Sequence, residues 1–169
     1  ASLGLSLRGG DAFYESPQKG DPTTNTPQKN NYDYLFGSLF YENKINDLWA
    51  TKLTFGFSSE DFDSRGFTGD YLGTGDYLKS DYDTNTDRYS LYWDNELQWN
   101  ESHASVVSAY YEHGAFESNY ATNKKRNTYG ASLNHRWQIV EAFSLNGRVG
   151  AEEHSDFGVE PTWGAGALY

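Results

Sequence analysis

The sequence predicts an all-β fold: an antiparallel, up-and-down transmembrane β-barrel of eight strands, formed by one domain over residues 1–169. Apolar and polar residues alternate in repeated short segments, the pattern of strands with two different faces. Aromatic residues make up 17% of the chain and Gly is far more frequent than Pro, which favours strands and turns. No run of about 18 apolar residues exists, so a transmembrane helix is excluded, whereas alternation permits a transmembrane barrel.

The clearest strand is WATKLTFGFSS, residues 49–59, in which the apolar residues stand at alternating positions: Trp49, Leu53, Phe55 and Phe57. The same alternation predicts strands near residues 2–10, 32–42, 49–59, 88–99, 104–116, 128–139, 143–152 and 162–169. In the second of these, four aromatic residues are expected to share the apolar face: Tyr32, Tyr34, Phe36 and Phe40.

The predicted connections alternate in length. Long ones fall at residues 11–31, 60–87, 117–127 and 153–161, and short ones near 43–48, 100–103 and 140–142. Outer-membrane barrels show this asymmetry, with short periplasmic turns and long extracellular loops. We therefore expect the outer membrane of a Gram-negative bacterium.

The apolar faces are expected to point outward into lipid. All five Trp lie on them, and so much aromatic volume would overfill the interior of an eight-stranded soluble barrel. A soluble barrel or sandwich is the alternative. In the membrane interpretation the opposite faces line the lumen with a nearly balanced charge network: Arg8, Lys52, Arg88, Asp94, Glu96, Glu112, Arg136, Arg148 and Glu152.

Aromatic residues next to the connections predict two girdles at the membrane borders, where amphipathic rings are favoured. The girdle residues are Trp49, Trp99, Phe143 and Tyr169 beside the short turns, and Tyr89, Tyr129 and Trp163 beside the long loops.

Composition narrows the function classes. The chain has no Cys, so disulfides and thiolate metal sites are excluded. It has no Met even at position 1, so we expect either processing or a piece of a longer protein. A net charge of −11 argues against a nucleic-acid partner.

The longest predicted loop contains a candidate calcium site. Asp81, Asp83, Asn85 and Asp87 place oxygen ligands at every second position, as a tight loop around a hard cation does. The EF-hand pattern itself fails, because Thr86 replaces its Gly. The candidate ligands are a subset of Asp70, Asp76, Asp81, Asp83 and Asp87; a solvated acidic loop is the alternative. The sequence requires no other cofactor.

No catalytic function is predicted. The four His are scattered, and no Ser–His–acid arrangement can be identified from their positions. Residues 121–127, ATNKKRN, form a basic loop tip that is either solvated or in contact with lipopolysaccharide phosphates. The expected partners are membrane lipid and lipopolysaccharide around a monomer.

From about residue 80 onward the sequence resembles the barrel of TonB-dependent outer-membrane receptors, especially the cobalamin-receptor type. The resemblance rests on TDRYSLYWDNELQWNESHASVVSAYYEHG (residues 86–114), on GRVGAEEHSDFGVEPTW (residues 147–163) and on the hairpin YENKINDLWATKLTFGFSSEDFD (residues 41–63). It covers about three quarters of the chain.

The resemblance implies a barrel of about 22 strands with an N-terminal plug and a TonB box, which takes up a metal chelate such as cobalamin or a siderophore. It also implies calcium bound by loop aspartates, which here points to residues 70–87. This chain shows no plug or TonB box, so alone it is not expected to transport. The alternative is a self-standing eight-stranded barrel with a structural, adhesive or minor pore role. The sequence leaves open whether the eight strands close on themselves.

Overall fold

The computed structural model describes residues 1–16, 28–68 and 78–169. They form eight β-strands: β1 (Ser2–Ser16), β2 (Gln28–Lys44), β3 (Trp49–Thr68), β4 (Leu78–Gln98), β5 (His103–Ser118), β6 (Lys124–Val140), β7 (Phe143–His154) and β8 (Gly158–Leu168). The strands make one sheet in sequence order, and every neighbouring pair is antiparallel. The predicted eight-stranded, up-and-down architecture is confirmed. None of the described residues belongs to a helix that is long and apolar enough to cross a membrane.

The register places all odd-numbered strand residues on one face. Phe55 of β3 lies opposite Leu39 of β2 and Leu91 of β4, and the same odd-to-odd pairing holds from β1 to β8. One irregularity, between Gln138 and Val140, lies at the end of β6. We call the two surfaces the odd face and the even face. The odd face carries the apolar rows of most strands, and the even face carries most of the membrane-level charges.

Buried apolar side chains are absent from the described residues. The buried residues are all polar: Asn30, Ser64, Asn95, Ser105, Thr128 and Ser144. Large apolar side chains are exposed instead, as Leu5 (76%) and Trp163 (84%) illustrate. A soluble protein would bury such residues, whereas a membrane barrel turns them to lipid. The burial pattern therefore fits the predicted outward-facing apolar surface.

The predicted strand boundaries were too short at the loop ends of most strands. Residues 60–68 extend β3 and residues 78–87 extend β4, so much of the predicted 60–87 loop is strand. Polar residues pair across these extensions: the Asn85 side-chain amide donates to Asp61 Oδ1 over 2.6 Å. The connection predicted at 153–161 is a turn of three residues, and Gly158 allows it with a φ of 86°.

The face assignment predicted for β2 was wrong. Tyr32, Tyr34, Phe36 and Phe40 carry even numbers, and the register puts Phe40 opposite Thr54 on the charged face. The odd face of β2 is formed by Leu35, Leu39 and Tyr41. Because β2 has large apolar residues on both faces, its alternation alone does not reveal which face meets the neighbouring apolar rows.

The two outermost strands are edges. In the described part of the chain β1 pairs only with β2, β8 pairs only with β7, and no contact joins β8 to β1. All eleven residues of β8 are exposed. Each edge therefore presents a row of backbone N–H and C=O groups without a strand partner, which is costly in a hydrocarbon environment.

Candidate functional site

The odd face carries an apolar band of membrane dimensions. On β3 it runs from Trp49 to Phe57, about 27 Å at about 3.4 Å per residue. Above Phe57 the same face becomes polar with Ser59, Asp61 and Asp63. At the usual strand tilt of about 35–45° this length projects to about 19–22 Å of bilayer depth, somewhat less than the apolar belt of about 25 Å on outer-membrane barrels.

Polar side chains within this band are covered by tryptophan. Three indole Nε1–H groups donate to polar residues: Trp49 to Asn95 Oδ1 (3.0 Å), Trp93 to Thr51 Oγ1 (3.0 Å) and Trp99 to Ser105 Oγ (2.9 Å). Asn95 and Ser105 are buried beneath their tryptophans. The indoles thus satisfy polar groups that would otherwise meet lipid, while their ring surfaces stay apolar.

The residues of the predicted girdles all carry odd numbers. Trp49, Tyr89, Tyr129, Phe143 and Trp163 occupy odd positions in strands, and Trp99 and Tyr169 directly follow β4 and β8. The exposed fractions of Tyr89, Tyr129 and Trp163 are 47%, 50% and 84%. Their depth in a bilayer stays a prediction.

Replacing Trp49 with phenylalanine is expected to lower the free energy of unfolding by about 1–3 kcal/mol, because the buried Asn95 Oδ1 loses its donor. Urea titration of the folded protein in lipid vesicles measures the change. Trp163→Phe is the matched control, since Trp163 is largely exposed and is expected to tolerate the change. Equal losses for both variants would show that the Trp49–Asn95 hydrogen bond contributes nothing.

The even face holds all nine charged residues predicted to line the lumen. Lys52 has neighbours of opposite charge on both adjacent strands, because it lies opposite Glu42 and Asp94. Among the described residues no ion pair joins two of the nine. Four of the nine contact other side chains instead: Asp94 accepts from Ser108 (2.6 Å), Glu112 accepts from Tyr92, Glu152 pairs with His154 (2.7 Å), and Lys52 Nζ lies 5.6 Å from the Phe40 ring centre.

A crevice of about 850 Å³ runs along the short-turn end of this face, and its even-face lining includes Glu96, Gln98, Asn134, Arg136 and Asn146. Its charged and amide groups are suited to contact with water or a polar solute. The even face therefore has the chemical character of a lumen wall.

The predicted calcium ligands are not arranged in a tight loop. Asp81, Asp83 and Asp87 lie along extended β4, so Asp81 and Asp87 are about 20 Å apart at about 3.4 Å per residue and do not enclose one ion together. Asp70 and Asp76 lie outside the described residues. In the part of the chain that is described, no three acidic or His side chains surround a common metal position. Calcium binding stays a prediction.

Acidic residues instead form a surface on the odd face beyond the apolar band. They line a crevice of about 600 Å³ and include Asp33, Asp61, Asp63, Asp83 and Glu117. A hydrogen bond with the Asp63 carboxyl raises the pKa of Asp83, because the two carboxyls lie directly opposite each other. Arg65 pairs with Asp63 over 3.0 Å, and this contact raises the pKa of Arg65.

The structure also brings together residues that the sequence left scattered. His103 and His135 contact each other through ring nitrogens 3.1 Å apart, and Ser105 lies 2.8 Å from His135. All three carry odd numbers, which was the available signal, but the pairing of β5 with β6 was needed to interpret it. The predicted basic loop tip at residues 121–127 is strand from Lys124 onward, and within β6 Arg126 pairs with Asp156 over 3.0 Å.

No family model and no curated protein sequence matches the chain. Among solved structures it is similar to the ferric-catecholate import receptor Fiu from E. coli K12, with 12% identity and a TM-score of 0.51 over 83% of this chain and 32% of that one. It is also similar to the siderophore receptor PirA from Pseudomonas aeruginosa (14%, TM-score 0.49, 96% and 35%) and to Ail of Yersinia pestis (16%, TM-score 0.33, 99% and 96%).

These similarities concern the fold. The matched structures are outer-membrane β-barrel proteins of Gram-negative bacteria, in agreement with the expected fold and location. The chain spans about a third of the length of Fiu and PirA. At 12% identity the match with Fiu supports the architecture and assigns no activity to this chain.

Proposed function

We propose that this chain forms one section of the wall of a larger outer-membrane barrel that takes up solutes. In this proposal the odd face contacts lipid and lipopolysaccharide, and the even face lines the path of a small polar solute such as a metal chelate. Further strands continue the sheet beyond β1 and β8.

The observation that carries the proposal is the pair of unpaired edges. Lipid offers no hydrogen bonds to β1 and β8, so a sheet with two edges needs either additional strands or closure on itself. Within the described ranges the edge strands β1 and β8 do not pair with each other, and the sheet matches about a third of the Fiu chain. Both observations are expected for one section of a larger barrel wall. The resemblance to TonB-dependent receptors in residues 86–114 and 147–163 points the same way.

A second candidate is a self-standing eight-stranded barrel with a structural, adhesive or minor pore role. Eight is an even number, so β1 and β8 run antiparallel and are able to pair. Several of their even-face residues near the short-turn end are small: Ser2, Gly4 and Ser6 on one edge, and Gly164 and Gly166 before the terminal Leu168 on the other. Small inward residues suit the narrow interior of an eight-stranded barrel.

Disulfide cross-linking distinguishes the two candidates, because the natural chain has no Cys. Leu7→Cys is combined in turn with Trp163→Cys, Ala165→Cys and Ala167→Cys, which covers neighbouring registers of a β1–β8 pair. We expect no intramolecular disulfide in any of these variants after refolding in detergent. Non-reducing gel electrophoresis under mild oxidation provides the measurement.

The matched control is Leu39→Cys with Phe55→Cys, two residues that lie directly opposite each other in β2 and β3. This pair should form its disulfide in either candidate, which shows that the sheet has folded. Efficient cross-linking of Leu7→Cys to any of the β8 cysteines would overturn the wall-section proposal and support the self-standing barrel.

A further inference from the structure

A chain of hydrogen bonds connects four residues at the short-turn border of the odd face. Trp99 Nε1 lies 2.9 Å from Ser105 Oγ, Ser105 Oγ lies 2.8 Å from His135 Nδ1, and His135 Nε2 lies 3.1 Å from His103 Nδ1. Ser105 is 6% exposed, and both imidazoles are half-buried.

The tryptophan fixes only the first bond of this chain. An indole N–H only donates, so Ser105 Oγ accepts from Trp99, and its hydroxyl proton and second lone pair are both free to serve His135 Nδ1. In the tautomer in which Ser105 donates to Nδ1, His135 carries its proton on Nε2 and donates it to His103 Nδ1. One proton is thus shared between the two imidazole nitrogens. A nitrogen that does not carry a proton is able to bind a metal ion.

The spacing of the two nitrogens is close to that of ligands sharing one metal ion. Two Zn–N bonds of about 2.05 Å at a tetrahedral angle separate their nitrogens by about 3.3 Å. His135 Nε2 and His103 Nδ1 are 3.1 Å apart, close to this separation. The rings are already nearly parallel, at 27°, and the His103 ring stacks on Trp137, with centroids 5.6 Å apart.

The surroundings leave room for an ion and its remaining ligands. A crevice of about 470 Å³ beside His103 is lined by Asn100, Glu101 and Ser102 of the β4–β5 turn. Ser105 is positioned to hold the far nitrogen of His135, because its oxygen is able to accept from Nδ1–H as well as from Trp99. Metal-bound imidazoles usually donate their second N–H to such a partner.

We propose that His103 and His135 form a site for a divalent transition-metal ion, of which Zn²⁺ is the test case, at the short-turn border of the outer surface. Imidazole nitrogens suit Zn²⁺, Ni²⁺ and Cu²⁺, and water completes the coordination. Binding requires only a change of tautomer: the proton on His135 Nε2 leaves to solvent, Nδ1 gains one proton from solvent, and no net proton is released. Ser105 keeps its hydroxyl proton and accepts from Nδ1–H. The site lies outside the lumen and does not depend on the proposed function.

Isothermal titration of the refolded full chain with ZnCl₂ tests the site. We expect saturable binding of one ion per chain, which His103→Asn or His135→Asn weakens at least tenfold. Ser105→Ala is expected to weaken binding about tenfold, the usual effect of removing an orienting partner. MgCl₂, whose ion prefers oxygen ligands, should not bind at this site.

The control variants are His113→Asn and His154→Asn, which alter imidazoles that contact Asn127 and Glu152 instead. They should keep the affinity of the natural chain. Equal affinity in all four His variants, or no saturable binding by the natural chain, would overturn the proposal. If His103→Asn or His135→Asn does not fold, the electron paramagnetic resonance spectrum of Cu²⁺ on the natural chain decides: two coupled imidazole nitrogens support the site, and one or none contradicts it.

Discussion

Phe55→Arg is expected to lower the free energy of unfolding in a bilayer by about 2–4 kcal/mol, the cost of a cation at the midplane on the lipid face of a barrel. Phe55 lies in the middle of the apolar band, opposite Leu39 and Leu91, and 41% of its surface is exposed. Lipid would surround an arginine at this position. Urea titration of protein folded into phospholipid vesicles measures the effect.

Thr54→Arg is the matched control, because Thr54 lies at nearly the same depth but on the even face, between Phe40 and Tyr92. A cation there points into the proposed lumen and should cost much less than Phe55→Arg. Equal costs at the two positions would mean that the faces do not differ in environment. A larger cost at Thr54 would invert the assignment of lipid and lumen.

Gly130→Ala is expected to cost about 1–3 kcal/mol through overpacking of the even face. Gly130 lies opposite Tyr110, and the Tyr110 ring covers it so closely that an added Cβ would overlap the ring. The Tyr110 ring also stacks on Tyr92, at 5.7 Å between centroids, so moving it disturbs a second contact. Chemical denaturation in detergent or vesicles measures the loss.

Two comparisons isolate this contact. Gly147→Ala should be nearly neutral, because nothing lies within 4 Å of a Cβ at Gly147. Gly130→Ala made in a Tyr110→Leu background should cost less than in the natural chain. If Gly130→Ala is neutral, or if the Tyr110→Leu background leaves its cost unchanged, the ring does not cover the glycine in the folded protein.

The strand count and the separation of most strands into an apolar and a polar face were predictable because alternation is a local property. The segment Trp49–Ser59 shows its two faces without knowledge of any partner. In β2 the same reasoning failed, since Tyr34 and Leu35 are both large and apolar. Only the register of β2 against β1 and β3 assigns Leu35 to the odd face.

The loop ends were predicted less well because polarity was taken as a sign of a loop. Residues 60–68 are acidic and polar, yet they continue β3 because Asp61 and Arg65 find partners on the same surface. Outside lipid a strand has no need of apolar residues. The same reasoning placed three of the predicted calcium ligands, Asp81, Asp83 and Asp87, in a loop. They lie along an extended strand and are therefore spread apart.

Side-chain contacts between neighbouring strands could not be predicted from the alternation pattern. Trp99, Ser105, His103 and His135 come together because β5 pairs with β6 in one particular register, and local alternation does not reveal that register. The edges of β1 and β8 are likewise a property of the whole sheet. These edges connect the fold to function. If further strands pair with them, the sheet is a section of a large uptake barrel; if β1 and β8 pair with each other, it is a small closed barrel.

The central claim is that the odd face meets lipid and the even face meets water. Single cysteines at positions 53–58, introduced one at a time into the Cys-free chain, test it most directly after reconstitution into vesicles. A membrane-impermeant maleimide should label positions 54, 56 and 58 and spare positions 53, 55 and 57. Labelling of the odd positions, or equal labelling of all six, would contradict the account.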